Sequence, residues 1–182
     1  MDDQKLTGRF LEACVTGDKV SHRMHLRACG LVMRNADLLR EVIKLDVHPA
    51  AKSKFLKQWV KVMVWQECRE RIADDDLWFA ALRKLLPAYD GPAVQLFRGQ
   101  KFGEPPGMSW TRSWRIADSF AKYGTAYEPH IKRMDYQLQR SGIVVFAEMQ
   151  SEIICAPCLL GHHEGEFIVD PRTVVSAADT PR

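Results

Sequence analysis

The stretch Gly107-Met108-Ser109-Trp110-Thr111, together with residues 114–123, predicts a short strand that leads into a helix. Three small or apolar side chains of the second part are spaced as one buried helix face: Ala117, Phe120 and Ala121. Because side chains alternate along a strand, Ser109 and Thr111 should point to the same side, where their hydroxyls can face one ligand. The alternative for Thr111 is that it caps the helix, which would begin near residue 112.

A second candidate element precedes this stretch. Leu96-Phe97-Arg98-Gly99 predicts a strand that ends in an arginine and a glycine. An arginine at a strand end can hold phosphate oxygens with two donors, and a glycine beside it lets a flat ligand approach the backbone. The alternative is an ordinary solvated turn.

A third element lies near the other end of the chain. The stretch His162-His163-Glu164-Gly165-Glu166-Phe167-Ile168-Val169-Asp170-Pro171 places two carboxylates directly before an apolar strand. With one residue between them, Glu164 and Glu166 share a face if the backbone is extended there. A polar turn before a strand is the alternative.

Together the three elements resemble, in order, the arginine, serine and glutamate motifs of toxin-type mono-ADP-ribosyltransferases. Arg98 and Ser109 are separated by 11 residues, and Ser109 and Glu166 by 57. The resemblance covers about 75 of the 182 residues and does not extend to residues 1–89. It implies an α+β protein whose core, residues 90–176, is a split, mixed or antiparallel β-sheet with NAD bound as substrate between two small sheets.

The resemblance also implies a role for each matching residue. Glu166 would be the catalytic carboxylate, which stabilises the positive charge that develops on the ribose as nicotinamide leaves. Arg98 would hold the NAD phosphates or ribose, and the backbone of Gly99 would bind the nicotinamide amide. Ser109 would brace Glu166, and Thr111 is placed with the NAD-binding residues.

Glu164 carries the prediction of the acceptor. In the family, a glutamate two positions before the catalytic one accompanies transfer to arginine, because a carboxylate can pair with a guanidinium and help to remove its proton. We therefore expect transfer of ADP-ribose to an arginine of a target protein.

One departure from the family pattern concerns the aromatic residues. The second element has Ser-Trp-Thr where serine-threonine-serine is commoner, and Trp110 should point away from the site into the core. The aromatic side chain that covers the nicotinamide is not identified, although Phe102, Tyr123 and Tyr127 are candidates.

Three other functions remain open from the sequence. The chain could hydrolyse NAD without marking a protein, or it could bind NAD or a partner without turnover. Alternatively, Cys155 and Cys158, followed by His162 and His163, have a spacing that could bind zinc. The transferase interpretation assigns no metal.

The first 89 residues predict helices without a chemical motif. The spacing of apolar residues predicts one helix between Val20 and Asp46 and a second from about Ala50 to Ile72. A third helix should run from capping residues at 74–76 to Leu86. This part is either a separate lobe or a completion of the core. Its histidines are expected on the surface or as caps, and its cysteines as buried free thiols.

Composition narrows the remaining classes of function. The net charge of +3 comes from 26 basic and 23 acidic residues, a balance that does not indicate a nucleic-acid or membrane surface. No apolar run approaches the roughly 20 residues of a membrane span, and the N-terminus lacks the pattern of a signal peptide. We therefore expect a cytoplasmic protein, or one delivered without a cleaved signal, that ends in a polar tail at 177–182.

Overall fold

The chain divides into two compact units, Met1–Ala88 and Tyr89–Arg182. In this computed structural model, residues 2–60, 65–124, 142–157, 166–175 and 177–179 are described. The first unit is helical and the second contains a β-sheet, so the α+β class is confirmed. Within these ranges, no helix combines the length and the apolar character needed to cross a membrane.

Six helices are described in the first unit: α1 (Asp3–Thr16), α2 (His22–Val32), α3 (Ala36–Lys44), α4 (Pro49–Trp59), α5 (Trp65–Ile72) and α6 (Asp75–Leu85). The third predicted helix is confirmed as α6, and the side chain of Asp74 accepts the Leu77 N–H at its start. The single helix predicted between residues 20 and 46 is wrong. Asn35 accepts two backbone N–H groups and starts a new helix there, so α2 and α3 are separate.

The second unit is built on one six-stranded sheet, β1 (Val94–Lys101), β2 (Ser109–Thr111), β3 (Gly142–Met149), β4 (Ile153–Cys155), β5 (Glu166–Val169) and β6 (Ala177–Asp179). The strand order is β4-β5-β2-β1-β3-β6, and each pairing is antiparallel. Two separate sheets were expected. Instead, two three-stranded halves are joined through one register pair between β1 and β2, Phe97 with Thr111.

The segment predicted as a polar tail, residues 177–182, contains a short strand. Residues 177–179 form β6, which pairs with β3 at Val144, Val145 and Phe146. The physical reason is that β3 would otherwise present an unpaired edge of backbone N–H and C=O groups, which a short strand can satisfy.

Each face of the sheet has its own apolar packing. One face carries a cluster that includes Leu96, Trp110, Val145 and Phe167. Trp110 is 2% exposed there, which confirms that it belongs to the core. The helix α7 (Trp114–Tyr123) has the predicted bounds and packs through Ala117 and Ala121 against β3 on the other face. Phe120, which was predicted on the same buried face, is instead 44% exposed.

Candidate active site

Arg98 lies inside β1 and not at its end as predicted, because the pairing with β3 continues to Lys101. It directly follows the residue that pairs with β2. Its Nη1 donates a hydrogen bond to the backbone oxygen of Ser109 on β2, at 2.7 Å. A side chain at Gly107 would come within 2.5 Å of the Arg98 Nη2 atom, so the guanidinium packs against that glycine. The predicted arginine therefore lies across the junction of the two sheet halves.

The charge of Arg98 is partly enclosed. Burial lowers the pKa of Arg98, whereas the carboxylates of Glu104 and Glu166 act in the opposite direction and raise it. An arginine remains cationic under these conditions. Its Nε atom is buried and has no hydrogen-bond partner among the described residues. A buried donor of this kind can be satisfied by an oxygen of a bound ligand or by an ordered water molecule.

Ser109 and Glu166 are brought together by the register of β2 and β5. Thr111 pairs with Glu166 and Ser109 with Ile168, so the two side chains are diagonal neighbours on one face of the sheet. The Ser109 hydroxyl donates a hydrogen bond to Glu166 Oε1. Ser109 is exposed and Glu166 half-buried, so both remain within reach of a ligand.

The surroundings of Gly99 give a different reason for this glycine from the one that the sequence suggested. A Cβ at this position would lie 1.8 Å from the backbone oxygen of Ala117 on α7. The space beside Gly99 is therefore filled by a helix, and the close approach of α7 is sufficient to require a glycine here. The predicted contact of the Gly99 backbone with nicotinamide stays a prediction.

Thr111 is 7% exposed, and its hydroxyl accepts the backbone N–H of Ser113 at 3.1 Å. Ser113 in turn caps α7 by accepting the Ile116 N–H. The prediction that Thr111 caps the helix is therefore wrong: Ser113 is the cap, and the Thr111 hydroxyl binds the backbone of that capping residue.

Several predicted residues lie outside the described ranges: Glu164, Tyr127, Cys158, His162 and His163. The acceptor-directing role of Glu164 stays a prediction for this reason. Cys155 is buried in β4, and the described part of the chain contains no group of three side chains suited to a metal ion. Of the aromatic candidates that are described, Phe102 is 78% exposed and Tyr123 is half-buried.

Three residues near Arg98 were given no role in the sequence analysis. Gly107 packs against the guanidinium, and the charge of Glu104 acts on it. Gln100, which is 7% exposed, donates from Nε2 to the backbone oxygen of Glu104 and so fastens the turn after β1. Only the glycine at 107 carried a signal, because a glycine before a short strand often marks a close approach.

No family model, curated protein or solved structure matches this chain.

Proposed function

We propose that this protein is a mono-ADP-ribosyltransferase that moves ADP-ribose from NAD to a protein side chain, with arginine as the acceptor. One observation carries the proposal. The Ser109 hydroxyl donates to Glu166 across 57 residues of sequence, and Arg98 donates to the backbone of the same serine. Three residues singled out on three separate strands thus form one chain of contacts.

The residues fit the demands of NAD as a substrate. Arg98 offers a half-buried cation whose buried Nε donor has no partner among the described residues, which suits phosphate or ribose oxygens. Ser109 and Glu166 offer a hydroxyl and a carboxylate on one accessible face. An arrangement of this kind can bind an anionic ligand at one end and stabilise positive charge at the other.

The chemistry assigns a distinct task to each side chain. NAD supplies an ADP-ribosyl group whose bond to nicotinamide breaks with its electrons leaving on nicotinamide, so positive charge develops on the ribose. Glu166 stabilises that charge, and the hydrogen bond from Ser109 holds its carboxylate in one orientation. Arg98 fixes the ligand by charge-assisted hydrogen bonds.

The acceptor step requires a group that takes a proton from the incoming nucleophile. Glu164 is the candidate, since a carboxylate can pair with a guanidinium and accept its proton as the new bond to ribose forms. Glu164→Gln should therefore reduce transfer to arginine while NAD hydrolysis continues. Full transfer by this variant would remove arginine from the proposal.

The proposal is tested with NAD labelled in its adenylate phosphate, using agmatine as a small guanidinium acceptor and a cell extract as a source of protein acceptors. Label on agmatine or protein supports the transferase. Release of free ADP-ribose alone would indicate a hydrolase, and unchanged NAD would indicate a binding protein.

The variant Glu166→Gln, which keeps the shape of the side chain, should lower the rate at least about 100-fold. Glu148→Gln is the matched control, because Glu148 is an exposed carboxylate on β3 of the same unit. A rate for Glu166→Gln within twofold of the control would refute the assignment of the catalytic carboxylate.

A further inference from the structure

The helical unit contains a cavity of about 380 Å³. It lies between α1, α2, α4 and the segment that joins α1 to α2, all within one unit. Its volume falls in the range of roughly 300–1,000 Å³ that is usual for small-molecule sites. We propose that this cavity is a second binding site, separate in function from the transferase site, for a small molecule with an apolar body and one anionic group.

The floor of the cavity is apolar and uncharged. Phe10, Cys14 and His25 line it and are 2%, 3% and 4% exposed. Burial, together with the nearby charges of Lys54 and His22, lowers the pKa of His25 to about 4, so its ring is neutral at physiological pH. A floor of this kind suits the apolar part of a ligand.

One face of α4 forms the wall. Ala50 and Ala51 precede Lys54 by four and three residues, so both lie on the same side of the helix as this lysine, and all three line the cavity. The two alanines leave the space open, whereas the lysine extends across it. The Lys54 ammonium donates to the backbone oxygen of Val20, in the segment that joins α1 to α2.

The charged residues that line the cavity favour a ligand with an anionic group. Three lysines line it, Lys19, Lys54 and Lys57, against one acidic residue, Asp18. No carboxylate among the described residues forms an ion pair with any of the three lysines. Lys54 uses one of its three donors on a neutral carbonyl, and burial lowers the pKa of its ammonium. An anion would restore the stabilisation that this cation loses on leaving water, whereas a cationic ligand would be repelled.

The test uses two fluorescent probes of similar size, 8-anilinonaphthalene-1-sulfonate and its uncharged analogue N-phenyl-1-naphthylamine, titrated into the full chain. We expect saturable binding of one sulfonate probe per chain. Lys54→Met should weaken the sulfonate probe at least tenfold and the neutral probe less than twofold. Lys52→Met is the control, because Lys52 has the same charge on the same helix but does not line the cavity.

A second variant fills the space instead of changing the charge. Ala51→Phe should abolish binding of both probes, since Ala51 lies on the cavity wall and is only partly buried. Near-ultraviolet circular dichroism shows that each variant is folded, and the comparison of Lys54 with Lys52 stands by itself if Ala51→Phe unfolds. The proposal is overturned if the sulfonate probe does not saturate, or if Lys54→Met and Lys52→Met have equal effects.

Discussion

Replacing Gly99 by alanine separates the two explanations for this residue. In the structure the new Cβ would meet the Ala117 oxygen at 1.8 Å and the Ala121 nitrogen at 2.4 Å. Ordinary contact requires α7 to move away by roughly 1.5 Å, because the obstacle is main chain and cannot rotate aside. Overpacking of this kind costs about 1–3 kcal/mol, and we expect the upper end of that range here. For a unit of this size, that loss lowers the midpoint of thermal unfolding by roughly 12–20 °C.

Scanning calorimetry on the full chain measures the effect. Gly142→Ala provides a parallel case, since its Cβ would lie 2.0 Å from the Ala121 oxygen, and it should be destabilised similarly. Gly30→Ala is the control, because a Cβ there meets nothing within 4 Å and a helix gains roughly 0.5–1 kcal/mol from the exchange. If Gly99→Ala kept the wild-type midpoint but lost NAD turnover, the glycine would serve ligand approach and the helix-packing argument would be refuted.

Three further predictions concern individual side chains. Burial lowers the pKa of His25 to about 4, below the value near 6.5 in the unfolded chain, so its neutral form contributes stability above about pH 6.5 that is lost as the pH falls toward 4. Between pH 7 and 4.5, the free energy of unfolding measured by urea titration should therefore fall less for His25→Gln than for wild type, by roughly 2–3 kcal/mol. Burial raises the pKa of Cys14 to about 12, so little reactive thiolate is present at pH 8. Its alkylation by iodoacetamide at this pH, followed by mass spectrometry, should be about 1,000-fold slower than that of a small thiol. Comparable rates would contradict this. Arg98→Met should lower the free energy of unfolding, measured with denaturant, by about 1–3 kcal/mol. Ser109→Ala, at an exposed site, should lower it by under about 1 kcal/mol but should slow the transfer of ADP-ribose. Equal losses of stability would show that Arg98 does not brace the sheet.

The local elements were largely predictable from the sequence, because their signals are local. The helical spacing of Ala117 and Ala121 predicted α7, and the cap at Asp74 predicted the start of α6. Features that depend on contacts with residues distant in the sequence were not predictable. The packing of α7 on Gly99 is one such feature, because nothing in the sequence of β1 indicates that this helix returns to cover the glycine.

The same limit explains His25. It was expected on the surface or as a cap, and His48 does accept the Ala50 N–H at the start of α4. His25 is instead 4% exposed, with Nδ1 at 3.3 Å from the Cys29 sulfur. The pattern of α2 shows which side chains share a face, but it does not show that α1 packs on that face and places Phe10 against the imidazole ring.

The position of the candidate site follows from the way the sheet is joined. β1 and β2 pair at Phe97 and Thr111, and the next residue along β1 is Arg98. Beyond this pair, a side chain takes over the link between the two halves of the sheet. Arg98 donates to the backbone oxygen of Ser109, a group that would bond to the backbone of β1 if the strand pairing continued. Ser109 in turn holds Glu166 through its hydroxyl. The residue that closes the junction is thus the one proposed to bind the ligand, so loss of Arg98 should disturb the orientation of Glu166 as well as NAD binding. The Arg98→Met variant should therefore lower the maximal rate as well as the affinity for NAD, an outcome that a ligand clamp without a structural role would not produce.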